Sequence, residues 1–237
     1  AELRRGAPTA AAKWGSALSV LLGDMLFAHA LELSSEYTDS GISRTIARAS
    51  RDVCAGEILQ TQRRHDLTLT VPEYLKVIEM KTAALFAAAM ELGGRLNQQS
   101  AEVTEALKNY GLRLGTAYQI YDDCLDLVGD EKTAGKTLGT DLAKGKLTLP
   151  LLYLLEGASD AQRTKLSRRL VNGEPMDNSI LAGIADYAGA VDRAVAFAQN
   201  MLQDARNDLA VLADSAQHNA LIEITHYLHM LLDKCRA

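Results

Sequence analysis

Gln119-Ile120-Tyr121-Asp122-Asp123-Cys124-Leu125-Asp126 packs three carboxylates into five residues at the end of a long apolar stretch, and Gly129 follows shortly after. The apolar spacing predicts a helix from about Ser100 to Val128 that Gly129 stops. Asp122 and Asp126 are four apart and Asp123 and Asp126 three apart, so all three reach one side of the helix end. A helix C-terminus carries partial negative charge, which disfavours an aspartate there by roughly 0.3–1 kcal/mol. Ile120, Leu125 and Leu127 flank the acids and put them at the edge of a core. A cation would offset these costs, and an all-oxygen donor set suits Mg2+, which is shared between carboxylates and substrate phosphates. A solvated acidic patch is the competing reading, and the cluster alone leaves both open.

Around this helix the chain reads as helix throughout. It has 4 prolines, and no run of alternating β-branched residues marks a strand. Helices are predicted over Ala10 to Leu33, Gly41 to Arg64, and from Thr70 to the Gly93-Gly94 pair. Thr70-Val71-Pro72-Glu73 reads as a capping box. Later helices are expected at Thr148 to Glu156, Ala161 to Val171, Ser179 to Asp214 with a break, and Gln217 to Lys234. In the first helix Leu18, Leu21, Leu22 and Met25 recur at helical spacing while Val20, Leu26 and Phe27 fill the other faces, which predicts burial on most sides. The fold expected is all-α: one domain over residues 1–237, a bundle of long, mostly antiparallel helices around a central apolar cavity.

At 237 residues, 48% hydrophobic and 23% charged, the composition is that of a globular protein that buries a substantial core. A net charge of -5 argues against a general nucleic-acid binder. Cys54, Cys124 and Cys235 are widely spaced and suggest neither a zinc site nor a disulfide framework, which fits a reducing, cytoplasmic setting. No apolar run reads as long enough and charge-free enough to span a bilayer. P-loops, dinucleotide fingerprints and serine elbows are absent. His226, His229 and Asp233 share a helix face, but no third His or Cys lies nearby to complete a zinc site.

The basic elements lie on both sides of the acid cluster. Lys132, Lys136, Lys144 and Lys146 follow it, spaced by Gly135, Gly139 and Gly145, where the backbone can approach a ligand closely. Arg4-Arg5-Gly6 offers two guanidinium groups suited to bidentate phosphate contact. Lys81-Thr82 sits in mid-helix before Ala83-Ala84-Leu85-Phe86, where a lysine either snorkels or faces a ligand. Glu57 and Gln60 are polar residues in an apolar helix, and read equally as a core hydrogen bond or as part of a site.

Taken together and in order, these pieces resemble the trans-type polyprenyl diphosphate synthases. Asp122-Asp123-Cys124-Leu125-Asp126 resembles the second of that family's two DDxxD motifs. Gly135-Lys136-Thr137-Leu138-Gly139-Thr140-Asp141 and Gly145-Lys146-Leu147-Thr148-Leu149-Pro150 resemble its downstream block. Lys81-Thr82 resembles the mid-chain lysine motif, and Leu3-Arg4-Arg5-Gly6 with Leu22-Gly23-Asp24 the segments after the first motif. The resemblance spans almost the whole chain and departs from the family at its start. The first DDxxD is expected immediately before Ala1, in N-terminal helices truncated from or unobserved in this sequence, with a naturally short subunit as the other reading.

The resemblance implies an isoprenoid-synthase fold and a prenyltransferase that lengthens an allylic diphosphate with isopentenyl diphosphate. It implies Asp122, Asp123 and Asp126 as metal ligands for about two or three Mg2+ ions. Arg4, Arg5, Lys81, Thr82, Gln119, Lys136 and Lys146 are implied as substrate-binding residues. Of these, Lys81, Thr82, Gln119 and Lys136 are implied at the reacting centre. The helix from Leu18 to Phe27, with Ala28 and Ala30, is expected to line a product tunnel. A cytoplasmic homodimer without stable membrane insertion is expected, with a quinone-side-chain type of product. A terpene cyclase of the same fold and a non-catalytic prenyl synthase subunit are the alternatives.

Overall fold

The computed structural model describes residues 2–4, 6–129, 138–172, 174, 176 and 178–236. It begins with a two-stranded antiparallel hairpin, β1 (Leu3–Arg4) and β2 (Ala7–Pro8), which turns at Gly6 with φ 72°. Helices then follow in the order α1 (Ala10–Trp14), α2 (Ser16–Ser35), α3 (Ser40–Gln62) and α4 (Val71–Ile78). A π-helical turn, Glu79–Ala83, joins α4 to α5 (Ala84–Leu96), and α6 (Ala101–Val128) comes next. The remainder is α7 (Thr140–Ala143), α8 (Leu149–Gly157), α9 (Asp160–Asn172), α10 (Asn178–Ala182), α11 (Tyr187–Asp208) and α12 (Ala216–Asp233).

Local chemistry sets most of these boundaries. Thr70 accepts from the Glu73 amide while the Glu73 carboxylate receives the Thr70 amide, which closes the expected capping box. Ser100 caps α6 by accepting from Val103, and the Gly129 amide closes its last turn on Leu125 O at 2.9 Å. Other features depend on conformations that spacing does not announce. Gly15, at φ 83°, splits the expected first helix in two. The Glu79–Ala83 turn widens mid-helix, and α7 and the hairpin had no predicted counterpart.

Helix α6 forms the centre of the fold and packs along α5, α11 and α12. Its core face carries Leu107, Tyr110, Leu114, Ala117, Ile120, Cys124 and Leu127. Helix α11 answers with Ala190, Val191, Ala194, Val195 and Ala198, whose small side chains let the two axes approach. On α5 the approach is closer. A Cβ on Gly111 would lie 2.5 Å from Phe86 O, and one on Gly115 2.7 Å from Ala83 Cα. The Tyr187 hydroxyl donates to Leu127 O at 3.2 Å and satisfies one of the last carbonyls of α6.

Helix α2 departs from expectation. Its residues are apolar on all faces, yet Ser34 alone of its residues is buried. Val20, Leu21 and Met25 are 61%, 63% and 60% exposed. The helix leans on α1 and α3 and leaves most of its circumference uncovered. It is long and apolar enough to cross a membrane by length and composition, which corrects the expectation that no such run exists. Its Met25, Leu26, Ala28, His29 and Glu32 line an open groove of about 630 Å3.

The glycine contact between α5 and α6 yields a stability prediction. Gly111→Ala puts a methyl against backbone atoms that cannot turn aside, and should destabilise the protein by about 1–3 kcal/mol. A urea-unfolding midpoint equal to that of the wild type would show that the interface has slack.

Candidate functional site

The end of α6, the π turn and α3 meet at one junction. The π turn brings Lys81 and Thr82 to it, and Gly56 of α3 makes room: a Cβ there would lie 2.5 Å from the Lys81 amide nitrogen. Lys81 Nζ pairs with Glu57 Oε2 at 2.8 Å and donates to Gln60 Oε1 at 2.6 Å. Glu57 and Gln60 are thereby explained as the holders of this lysine. The Lys81 hydrogen bond is the main reason the Glu57 carboxyl is held below its ordinary value, against partial burial.

Thr82 donates to Gln119 Oε1 at 2.7 Å, and Gln119 Nε2 donates to Asp123 Oδ1 at 2.8 Å. The other oxygen of Asp123 accepts from the Tyr74 hydroxyl at 2.6 Å. Two predicted site residues are thus joined to the acid cluster by direct hydrogen bonds. Burial, and then the Asp123 carboxylate beside it, hold the Tyr74 phenol well above its ordinary range, so Tyr74 remains a donor.

The three aspartates take different environments. Asp122 sits half-buried at the rim. Asp123 is 3% exposed and turned into the core. Desolvation raises its carboxyl to about 7, opposed by the bonds from Tyr74 and Gln119 and reinforced by the charge of Asp141. Asp126 binds the start of α7: its Oδ2 accepts from the Asp141 amide at 3.0 Å and its Oδ1 from Thr140 Oγ1 at 3.3 Å. Its carbonyl accepts from the Gly139 amide at 2.8 Å. Asp141 in turn pairs with Lys146 at 2.7 Å, so that lysine is held within the same junction. Gly145, at φ 70°, lies against the His65 ring and supports this turn.

The arrangement fits a cation shared with a ligand. Among the described residues, no group of three or more His, Cys, Asp or Glu could hold a metal ion alone. Asp122 is half-buried, whereas Asp123 and Asp126 are buried and each has both carboxylate oxygens engaged by groups of the protein. Arg4 is exposed on β1, and no hydrogen bond or ion pair among the described residues links it to this junction. Arg5 and Lys136 lie outside the described residues. Sequence reasoning missed Tyr74 and Asp141. The position of Asp141, just after the Gly139-Thr140 helix start and before a lysine, is a local signal; Tyr74 had none.

A larger groove, about 410 Å3 between Leu67, Thr70, Leu152 and Arg163, includes none of these residues. A cavity of about 20 Å3 lined by Gln60, Tyr74 and Lys146 does. A third, about 220 Å3, lies between α3, α5 and α6 and has Ala49, Ala84, Ala87 and Ala88 in its walls.

The comparisons agree with one another. Residues 1–186 match the family described as Polyprenyl synthetase. A short chain isoprenyl diphosphate synthase of Methanothermobacter thermautotrophicus is 35% identical over 231 residues, which cover 96% of this chain and 71% of that protein. The crystal structure of a decaprenyl diphosphate synthase from Rhodobacter capsulatus superposes with a TM-score of 0.89 at 33% identity, covering 100% of this chain and 73% of that one. A polyprenyl synthase of Caulobacter crescentus, crystallised with calcium and isoprenyl diphosphate, gives 0.88 at 37% identity over 96% of this chain and 70% of its own.

The buried carboxyl makes a pH prediction for the metal-free protein. Its folded value of about 7 lies above the ordinary 3.8, so between these values the folded chain keeps a proton that the unfolded chain releases. Stability should therefore fall as pH rises from about 4 to about 7, by an amount on the order of a few kcal/mol. Urea titrations should show that slope in the wild type and a flatter one in Asp123→Asn; equal slopes would contradict the assignment.

Proposed function

Since this chain belongs to the polyprenyl synthetase family, and is a prenyltransferase of isoprenoid biosynthesis, we propose that it condenses an allylic prenyl diphosphate with isopentenyl diphosphate, with Mg2+ bound at Asp122 and Asp126. The hydrogen-bonded junction between the Lys81-Thr82 turn and the aspartate end of α6 carries this reading. The calcium and isoprenyl diphosphate bound by the Caulobacter crescentus relative support a divalent cation at a diphosphate site.

Diphosphate leaves slowly unless its developing charge is met. Mg2+, when bound, supplies Lewis-acid neutralisation of that charge. Lys81 and Lys146 add fixed positive charge beside it, both already oriented by Glu57, Gln60 and Asp141. Thr82 and Gln119 offer oxygens toward the allylic cation that remains. Arg4, Arg5 and Lys136 complete the set by resemblance, with the guanidinium groups on the substrate diphosphates. Attack by the isopentenyl double bond and loss of a proton finish the condensation, and a quinone-type side chain is the product class favoured.

The working form is a cytoplasmic homodimer, with a second copy covering α2. A helix apolar on all faces is stable in water only when covered.

Two outcomes test these proposals. Asp122→Ala should lower kcat at least about a hundredfold in Mg2+; turnover within a few-fold of wild type would remove Asp122 from the metal site. Sedimentation equilibrium should give twice the chain mass of 25.6 kDa, and Leu21→Glu with Met25→Glu should shift it to one chain. A monomeric wild type would overturn the dimer, and a requirement for detergent would point to a bilayer.

A further inference from the structure

We propose that Tyr74 is a positioning residue: through Asp123 it fixes which way round the Gln119 amide sits, and so leaves the Thr82 oxygen open as an acceptor toward the cation. The proposal rests on the prenyltransferase reading above.

The direction of the chain follows from what each group can do. Gln119 Nε2 donates to Asp123 Oδ1 at 2.8 Å, so the end of the amide that meets Asp123 is its NH2 group. The carbonyl end then faces Thr82 at 2.7 Å. An amide oxygen only accepts, so Thr82 must donate its single hydroxyl proton to Gln119. What remains on the Thr82 oxygen is lone-pair density. With the amide reversed, Thr82 would accept from the NH2 group and its own proton would be free to point into the cleft, which opposes a developing positive charge.

Amide orientation in a structure is assigned from the network around it, and here the Thr82 and Asp123 contacts give the answer. That answer holds only while Asp123 keeps its place. Asp123 follows Asp122 at the cleft rim, and a turn about its side chain would take it off Gln119. Tyr74 prevents this by occupying Oδ2 at 2.6 Å. Tyr74 is itself 3% exposed and stands on α4, whose start the Thr70–Glu73 capping box fixes. The clamp therefore reaches from a rigid helix, across 49 residues of sequence, to a residue one turn past Gln119.

The test is a double-mutant cycle in the complete enzyme, assayed with allylic and isopentenyl diphosphates. Tyr74→Phe keeps the ring and removes the donor. It should lower kcat about tenfold and leave the allylic KM within about twofold. In a Thr82→Val background the same change should cost less than about twofold, because the group it serves is already gone. Equal losses in both backgrounds would make Tyr74 a structural residue, and full kcat in Tyr74→Phe would remove it altogether. Asp123→Asn is the second variant. Its amide can present NH2 to Gln119 and reverse the chain, so its kcat should fall below that of Tyr74→Phe; undiminished kcat would sink the proposal. Solvent-exchange protection of the Gln119 side-chain amide should also drop in Tyr74→Phe, a readout independent of turnover. Failure of the wild type to elongate would count against the prenyltransferase reading, whereas an active wild type with uncoupled losses would count against the positioning role alone.

Discussion

Three negative charges at the negative end of a helix dipole have to be answered, and much of this fold is arranged around the answers. Asp123 is answered from inside, by Tyr74 and Gln119. Asp126 is answered by the amide and hydroxyl groups that open α7, so the acid cluster also anchors the segment that returns Lys146 to the cleft. Asp122 stays at the rim. One short motif therefore does three separate jobs: it locks a side-chain chain in the core, fastens a loop, and, in the proposed function, faces the ligand. The proposed chemistry needs all three, since a cation and a diphosphate have value only if the lysines and the acceptor oxygens are already in place.

The lysines show the same economy. Lys81 and Lys146 are each held by a carboxylate of their own, Glu57 and Asp141. Such pairs orient the ammonium groups without cancelling them, because a diphosphate brings several negative charges and can draw the lysines toward itself. In the proposed function the acids near the site are thus of two kinds, those that hold cations of the ligand complex and those that hold cations of the protein.

How much of this could be read from the chain follows from distance along it. Caps were legible: Thr70 with Glu73, Ser100 and Gly129 act on neighbours within four residues, and the helices began and ended close to where they were expected. The resemblance set Thr82 and Gln119 at one centre, and a hydrogen bond joins them. What spacing did not show was direction. Asp123 and Asp126 lie on one side of a helix, yet one turns to a tyrosine 49 residues earlier and the other to a turn 15 residues later. Helix α2 misled for a related reason. An apolar pattern reports that a surface wants to be covered, and does not say whether this chain or another body covers it. The break at Gly15 and the start of α7 at Gly139 depend on positive φ angles, which glycine permits without announcing.

The π turn at Glu79–Ala83 has a consequence for how this chain tolerates insertions and deletions. Tyr74, before it, Ala83, its last residue, and Ala87, after it, all meet α6. Each residue of an α-helix advances the face by about 100°, so in a regular α-helix one residue more or fewer between them would turn one contact away. A π turn is an α-helix with one residue in excess. Loss of one residue between Glu79 and Ala83 would thus leave a regular helix, locally more comfortable than the original, in which α5 still packs on Gly111 and Gly115. The wide turn takes up that extra residue without rotating its flanks, so Tyr74 would keep its register with Asp123 while Lys81 and Thr82 lost the bulge that brings them to the junction. The lesion would be nearly silent to a melting curve and severe for catalysis, so the extra residue of this turn belongs to the chemistry rather than to the scaffold.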